Sequence, residues 1–460
     1  MTRRGGWVVL APLLIGTFTA TVNNAIVNVP MVDILTDLHV SLANGALVVV
    51  AFNLAFAVLM PLSGWLGDRV GQRRIFCAAM AVLSVGAIGA AVAPNLGILV
   101  GFRVLQGVAT AAVLPGVMSL ITALIEPGRR GRALGLWAAV NGAGQAVGPA
   151  LGGLLSGWLG WRSIFYPMVP MALLSLVMTV IVVPKVKPRP VPLEWRGGLL
   201  LTASAAMLLG AASAVSPLGI GSPVVWAGAA LGALAAVAFL MVERGRAGAF
   251  LRPSLLVEPV YLRSAVCVSA QMFCLGATLL GIPLYLVREQ HTTTASAGLL
   301  VLTMPLTMAV LAPVAGLMTE RHTPRVALRW GLGVLLVGEL ALTLLLGLEP
   351  GQTLPLVIAL VVVGAGVAFV QTPAATAATH SRAGQAGPGL GLFNLLRFGA
   401  SALGASWVAA VLGGGPDYGI VFTGCVVVTL VGLVGAFAIR SARSDAGPRA
   451  DLPTRASSVG

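Results

Sequence analysis

Apolar stretches of about twenty residues, separated by short polar loops, recur fourteen times along this chain of 460 residues. A helix of about twenty apolar residues spans the hydrocarbon core of a bilayer, where only helices and closed barrels satisfy their backbone groups. The stretches predict spans at 7–29, 43–66, 75–93, 97–124, 133–158, 163–184, 197–215, 223–242, 263–287, 295–318, 327–348, 353–376, 387–412 and 418–440. Composition argues against soluble helices. The chain is 58% hydrophobic and 9% charged, with mean hydropathy +0.97, whereas soluble domains carry about a quarter charged residues. An all-α polytopic membrane protein is expected. The first stretch, Trp7 to Val29, follows Arg3 and Arg4 and is too long for a signal-peptide core, so it reads as an uncleaved span. Cys77, Cys267, Cys274 and Cys425 fall inside apolar runs at no metal spacing and read as small buried hydrophobes.

The net charge of +14 follows a topological pattern. With the N-terminus in the cytoplasm, all lysines and arginines fall in cytoplasmic segments except Arg162, Arg288, Arg103 and Arg397. That asymmetry predicts cytoplasmic termini. No basic patch interleaved with aromatics suggests nucleic acid. No phosphate-binding loop or catalytic constellation appears, so neither an enzyme nor an organic or metal cofactor is expected.

Cytoplasmic loops at 185–196 and 243–262 bracket two helices. The predicted organisation is a six-helix bundle over 1–184, an inserted pair with linkers over 185–262, a second six-helix bundle over 263–440 and a disordered cytoplasmic tail, 441–460. The halves echo each other: "GWLGDRVGQRR" (64–74) ends the second span, and "GLMTERHTPR" (316–325) ends the corresponding later one. Each has a glycine (Gly64, Gly316), an acid four residues on (Asp68, Glu320), then arginine (Arg69, Arg321). Transporters built from repeated bundles have this kind of duplication.

"GWLGDRVGQRR" resembles the loop 2–3 signature of the major facilitator superfamily. "GFRVLQGVATAA" (101–112) resembles its helix-four motif, with Arg103, Gln106 and Gly107. "NGAGQAVGPALGG" (141–153) resembles the helix-five motif of its antiporters. "WRSIFYP" (161–167) and "NLLRFGASALG" (394–404) look like stretches of its fourteen-span drug:proton antiporter family. The resemblance implies a major facilitator fold with two extra helices. It also implies Asp68, with Arg69 and Arg73, closing the cytoplasmic side against the first turn of the thirteenth helix. An external seal on Gly148, Pro149 and Gly152 and proton movement assisted by Arg103 are implied as well. Each has a plainer reading: charges serving topology alone, generic close packing of small residues, or a structural arginine satisfied by carbonyls and Gln106.

One departure matters. The family's first helix places an aspartate where this chain has Asn23, in "NNAIVNV". An amide hydrogen-bonds but carries no proton. The candidates for proton coupling are then Arg103, Asp33 at the external mouth, and Glu339, the acid nearest the middle of a span. Asn23, Asn24, Asn28, Asn53, Gln106, Gln271, Gln371 and Arg397 are candidate cavity residues. Amides and positive charge without buried acids favour neutral or weakly anionic amphipathic compounds over permanent cations. The expected function is export of drug-like or antibiotic molecules in exchange for protons, by a monomer in a bacterial cell membrane. The arginine-rich, lysine-poor composition fits a GC-rich genome. An uncoupled facilitator or an importer of a small solute is the alternative.

Overall fold

Helix boundaries follow local chemistry. The computed structural model describes residues 8–186, 195–244, 257–321, 323–347, 352–383 and 387–439, with the side chains at 127–132, 134, 135, 138, 195, 320, 321, 387 and 388 outside that description. Most of both predicted linkers and the whole of 441–460 also lie outside the described residues. The first helix, α1 (Leu10–Ala25), gives way to turns over 26–30 before Pro30 opens a short helix, Met31–Asp37. Proline disfavours helical backbone at the residue before it. Next come α2 (Leu47–Val70) and α3 (Gln72–Ala91), separated by Gly71 at φ 109°, a conformation natural to glycine. The Asn95 side chain caps α4 (Leu96–Leu124), and α5 (Pro127–Leu159) begins with proline. The 3-10 turn Trp161–Phe165 leads into α6 (Met168–Val182).

The two helices expected as an inserted pair are α7 (Trp195–Leu218) and α8 (Pro223–Glu243). The second half comprises α9 (Pro259–Arg288), the short helix Thr294–Val301 continued by α10 (Thr303–Arg321), α11 (Pro324–Gly347), α12 (Thr353–His380), α13 (Gly387–Gly414) and α14 (Tyr418–Ala438).

Among the described residues, twelve helical segments are long and apolar enough to cross a membrane. The fourteen expected spans are not all met on length and composition. The two shortfalls are α1, broken after 16 residues by its proline turn, and α5, which is glycine-rich and polar at Asn141 and Gln145.

Within the first half, α1 packs on α5 and α6, and α4 on α2 and α3. In the second half, α11 packs on α12 and α14, and α9 on α12, α13 and α14. The halves meet along two seams. One joins α2 to α13, and the other joins α5 to Thr294–Val301 and α10. Helices α7 and α8 lie over the first seam: Ala205 and Phe239 cluster with Val58 of α2 and with Leu392 and Leu395 of α13.

Candidate functional site

Arg103 is fully buried and ties three helices together. Its Nε donates to the Val48 carbonyl (3.1 Å) at the start of α2. One terminal nitrogen donates to the Asn23 carbonyl (3.1 Å) and side-chain oxygen (3.5 Å) of α1, and to Gln106 Oε1 (2.7 Å) one turn along α4. The guanidinium carbon also sits 4.2 Å from the centre of the Phe52 ring, a cation–π contact. Gly107 permits the approach, since a Cβ there would stand 2.5 Å from the Phe52 carbonyl oxygen. Three donors of this cluster are buried without acceptors: Asn23 Nδ2, Gln106 Nε2 and the second terminal nitrogen of Arg103. Among the described residues no carboxylate pairs with Arg103. Phe52 and Phe56 (6.1 Å between centroids) and Phe56 and Phe398 (4.4 Å) continue the contact across the seam to α13, where Arg397 lies 4.9 Å over Phe398.

The second seam is made of backbone. A Cβ on Gly153 would stand 2.6 Å from the Thr294 carbonyl, and one on Gly298 would stand 2.9 Å from the Pro149 carbonyl. Gly144 and Gly148 press on α1 instead, at Thr21 and Ala25, and Gly152 on Ile26 just after it. Beside the seam, Asp33 accepts from Ser156 of α5 (2.5 Å) and from Thr294 of the second half (3.0 Å), so one carboxylate bridges both halves. Farther along α5, Gly142 meets nothing within 4 Å.

Near Asp33, Asp37 accepts from Arg162 (2.6 Å) and Trp161 (3.0 Å). The hydrogen bond from Arg162, and then that from Trp161, hold the Asp37 carboxyl below its usual range. A lowered folded-state value means the pair stabilises above the ordinary carboxylate range and loses that effect as pH falls through the lowered value. With side chains 38% and 48% exposed, such a pair is worth about 0–1 kcal/mol. Asp37→Asn is expected to lower the thermal midpoint slightly at neutral pH and not at all in strong acid. Paired melts of parent and variant across acid and neutral pH measure this.

At the opposite end, the two echoing loops perform matching tasks. Arg73 donates to the Val180 carbonyl in the last turn of α6 (2.6 Å), and Arg325 donates to the Phe437 carbonyl in the last turn of α14 (3.3 Å). Each arginine lies nine residues after its glycine, Gly64 or Gly316, and each satisfies a free carbonyl at the negative end of a helix dipole. Arg69 lies 5.6 Å over Trp65, and Asp68 accepts from Gln72 (3.0 Å). Gly64 and Gly316 face open space. The expected counterparts Glu320 and Arg321 have side chains outside the described residues, as do the first two residues of α13, 387 and 388, in the turn expected to meet Asp68.

The profile of the Major Facilitator Superfamily matches residues 13–405 and again 264–458. The chain belongs to the major facilitator superfamily. A puromycin resistance protein of Streptomyces alboniger is 31% identical over 96% of this chain and 92% of its own length. The multidrug resistance protein Stp of Mycobacterium tuberculosis is 29% identical over 86% of this chain and 76% of its own. A tetracenomycin C resistance and export protein of Streptomyces glaucescens is 28% identical over 69% and 60%.

On this major facilitator frame, the candidate residues separate into groups. Asn23, Arg103 and Gln106 form one cluster. Asn28 and Asn53 are buried nearby in sequence, and Asn24 is half-buried. Gln271 is fully buried with neither side-chain polar atom bonded, and Gln371 is half-buried with an unpaired Oε1. Glu339 lies elsewhere, enclosed within the second half beside Cys274 and Cys425. Reading from sequence missed Ser156, Thr294 and Phe398, as well as the two cysteines at Glu339.

Proposed function

We propose that this chain exports small amphipathic, drug-like or antibiotic molecules across a bacterial cytoplasmic membrane in exchange for protons, by alternating access. In this reading it is a monomer of fourteen spans with cytoplasmic termini. Two six-helix bundles, 1–184 and 263–440, flank the pair inserted within 185–262, and the Asp33 end faces outward. The fourteen-span drug:proton antiporter branch is the proposed place within the superfamily. Support for export comes from relatives named for antibiotic resistance and export. Support for a neutral or weakly anionic substrate comes from the buried donors around Arg103, with no acid beside them among the described residues.

The single observation that carries the coupling is Asp33, which accepts hydrogen bonds from both halves at their outer seam. As a carboxylate it holds Ser156 and Thr294 together. Protonation from outside turns one acceptor oxygen into a hydroxyl and loosens that join, so external acidity favours opening. Asn23 is neutral and engaged by Arg103, which leaves the proton-carrying role to Asp33 or Glu339. Asp68, Arg69 and Arg73 hold the cytoplasmic side in the same cycle.

The test uses inside-out vesicles carrying an acid-inside gradient, with a pH dye and neutral, anionic or cationic antibiotics added. The parent is expected to release protons when neutral or anionic compounds are supplied, and Asp33→Asn is expected to lose that release. Loss in Glu339→Gln instead would move the coupling to Glu339. A parent that moves compounds regardless of the gradient is an uncoupled facilitator, and strong export of a quaternary dye would sink the substrate class.

A further inference from the structure

Glu339 sits near the middle of α11 with no exposed surface, and neither carboxylate oxygen has a hydrogen-bond partner. An acidic side chain at that depth is costly unless something engages it. Two sulfurs face it. Cys274 lies halfway along α9 and Cys425 in the second turn of α14. Both are fully buried, and the three potential ligand atoms lie within 4.8 Å of one another. One turn beyond Cys425, the Thr429 hydroxyl is 3.3 Å from the Cys274 sulfur. Three helices distant in sequence thus converge two thiols, a carboxyl and a hydroxyl on one point.

We propose that Cys274, Glu339 and Cys425 bind one borderline-soft divalent cation of the Zn2+ or Cd2+ type, tying α9, α11 and α14 together inside the second half. Thiolates select soft and borderline ions, whereas Mg2+ and Ca2+ call for six or more oxygens. Tetrahedral Zn2+ takes sulfur at about 2.3 Å and carboxylate oxygen at about 2.0–2.2 Å, so small rotamer changes close the observed spacing. Thr429 is placed to supply the fourth ligand. With both thiolates and the Glu339 carboxylate bound, a divalent ion brings three negative charges down to a net −1, and the protons it displaces from the three groups leave to solvent. All the ligands belong to one half and are fully buried there, so the ion is structural rather than cargo. Loading it stiffens that half without opposing movement between halves. The site does not rest on the export reading, but a Glu339 carboxylate held by the ion carries no transported proton, which leaves that role to Asp33.

The test starts from the untagged full-length chain produced in cells supplied with Zn2+ or Cd2+, purified in detergent and washed with a chelator. Metal content, the cadmium–thiolate absorption band and the thermal midpoint are then recorded. About one equivalent per chain is expected to survive the wash, with a higher midpoint than protein produced without added metal. Binding should vanish in Cys274→Ser and in Cys425→Ser and weaken in Glu339→Gln. It should persist in Cys267→Ser, a buried cysteine of the same helix that bonds elsewhere. A folded parent that binds no ion, or metal retained in the Cys274→Ser/Cys425→Ser double variant, overturns the proposal. Should the serine variants fail to fold, the parent's metal content and cadmium–thiolate band decide.

Discussion

Asn23→Asp is expected to raise the thermal midpoint of the purified protein, and Arg103→Ala to lower it sharply. Both follow from one arrangement. Arg103 is a buried cation held by carbonyls, an amide and an aromatic face, with its nearer terminal nitrogen 3.5 Å from Asn23 Oδ1. A carboxylate of nearly the same shape at position 23 supplies the missing counter-charge where the guanidinium is already oriented, and charge-assisted bonds are about twice as strong as neutral ones. Truncation does the reverse. It removes the bonds to Val48 and Asn23, orphans Gln106 Oε1 and leaves a cavity among α1, α2 and α4, and large-to-small changes of this kind cost about 2–5 kcal/mol. Arg103→Met keeps most of the volume and so separates the cavity from the lost bonds. Arg103→Lys is expected to recover little, because an ammonium cannot reproduce the forked geometry. The readout is the unfolding midpoint in detergent, with vesicle flux beside it. If Asn23→Asp melts below the parent, the site already compensates Arg103 and the inference about substrate charge loses its support.

Features carried by contiguous residues were legible in the sequence. Apolar runs located the helices because burial in lipid demands uninterrupted hydrophobicity. The duplicated loop located Arg73 and the second-half loop end because its pattern spans eleven residues. Asn23, Arg103 and Gln106 were each singled out as polar groups in an apolar run, and they do meet. What required coordinates was convergence from distant segments. Asp33 stood out as an acid at a helix end, but nothing local reveals Ser156 or Thr294 as its partners, 123 and 261 residues away. Cys274 and Cys425 are 151 residues apart, so no ligand spacing could mark them, and Glu339 gave no sign of which neighbours it faces. The pair α7 and α8 was visible as two hydrophobic runs. Its place over the seam between α2 and α13 was not, because a lipid-facing helix has little amphipathic pattern to show which face it covers.

Gly298→Val is expected to abolish vesicle flux while leaving a folded, monodisperse protein. The Cβ alone would stand 2.9 Å from the Pro149 carbonyl oxygen and 3.1 Å from the Gly153 Cα. Those are backbone atoms of α5 with no side chain to swing aside, and valine adds two further methyl groups. Overpacking of this sort costs about 1–3 kcal/mol, and in a two-state equilibrium each ~1.4 kcal/mol changes the ratio of states about tenfold. The clash exists only when the halves meet at this seam, so each half folds unhindered and the penalty falls on the closed arrangement. Thr294, four residues earlier on the same short helix, is drawn away with it, and Asp33 loses its donor from the second half. In the orientation proposed above, the chain is then held open to the outside. Spin labels at Leu159→Cys and Glu289→Cys, exposed positions of the two halves at the Asp33 end, should report a longer separation than in the otherwise unchanged protein. Gly316→Val is the matched control on the adjoining helix, because a Cβ there meets nothing within 4 Å. It should transport as the parent does. Parent-level flux and an unchanged label distance in Gly298→Val would mean that the seam of Gly153, Gly298 and Asp33 does not part during transport, and the gate would have to be sought along α2 and α13 instead.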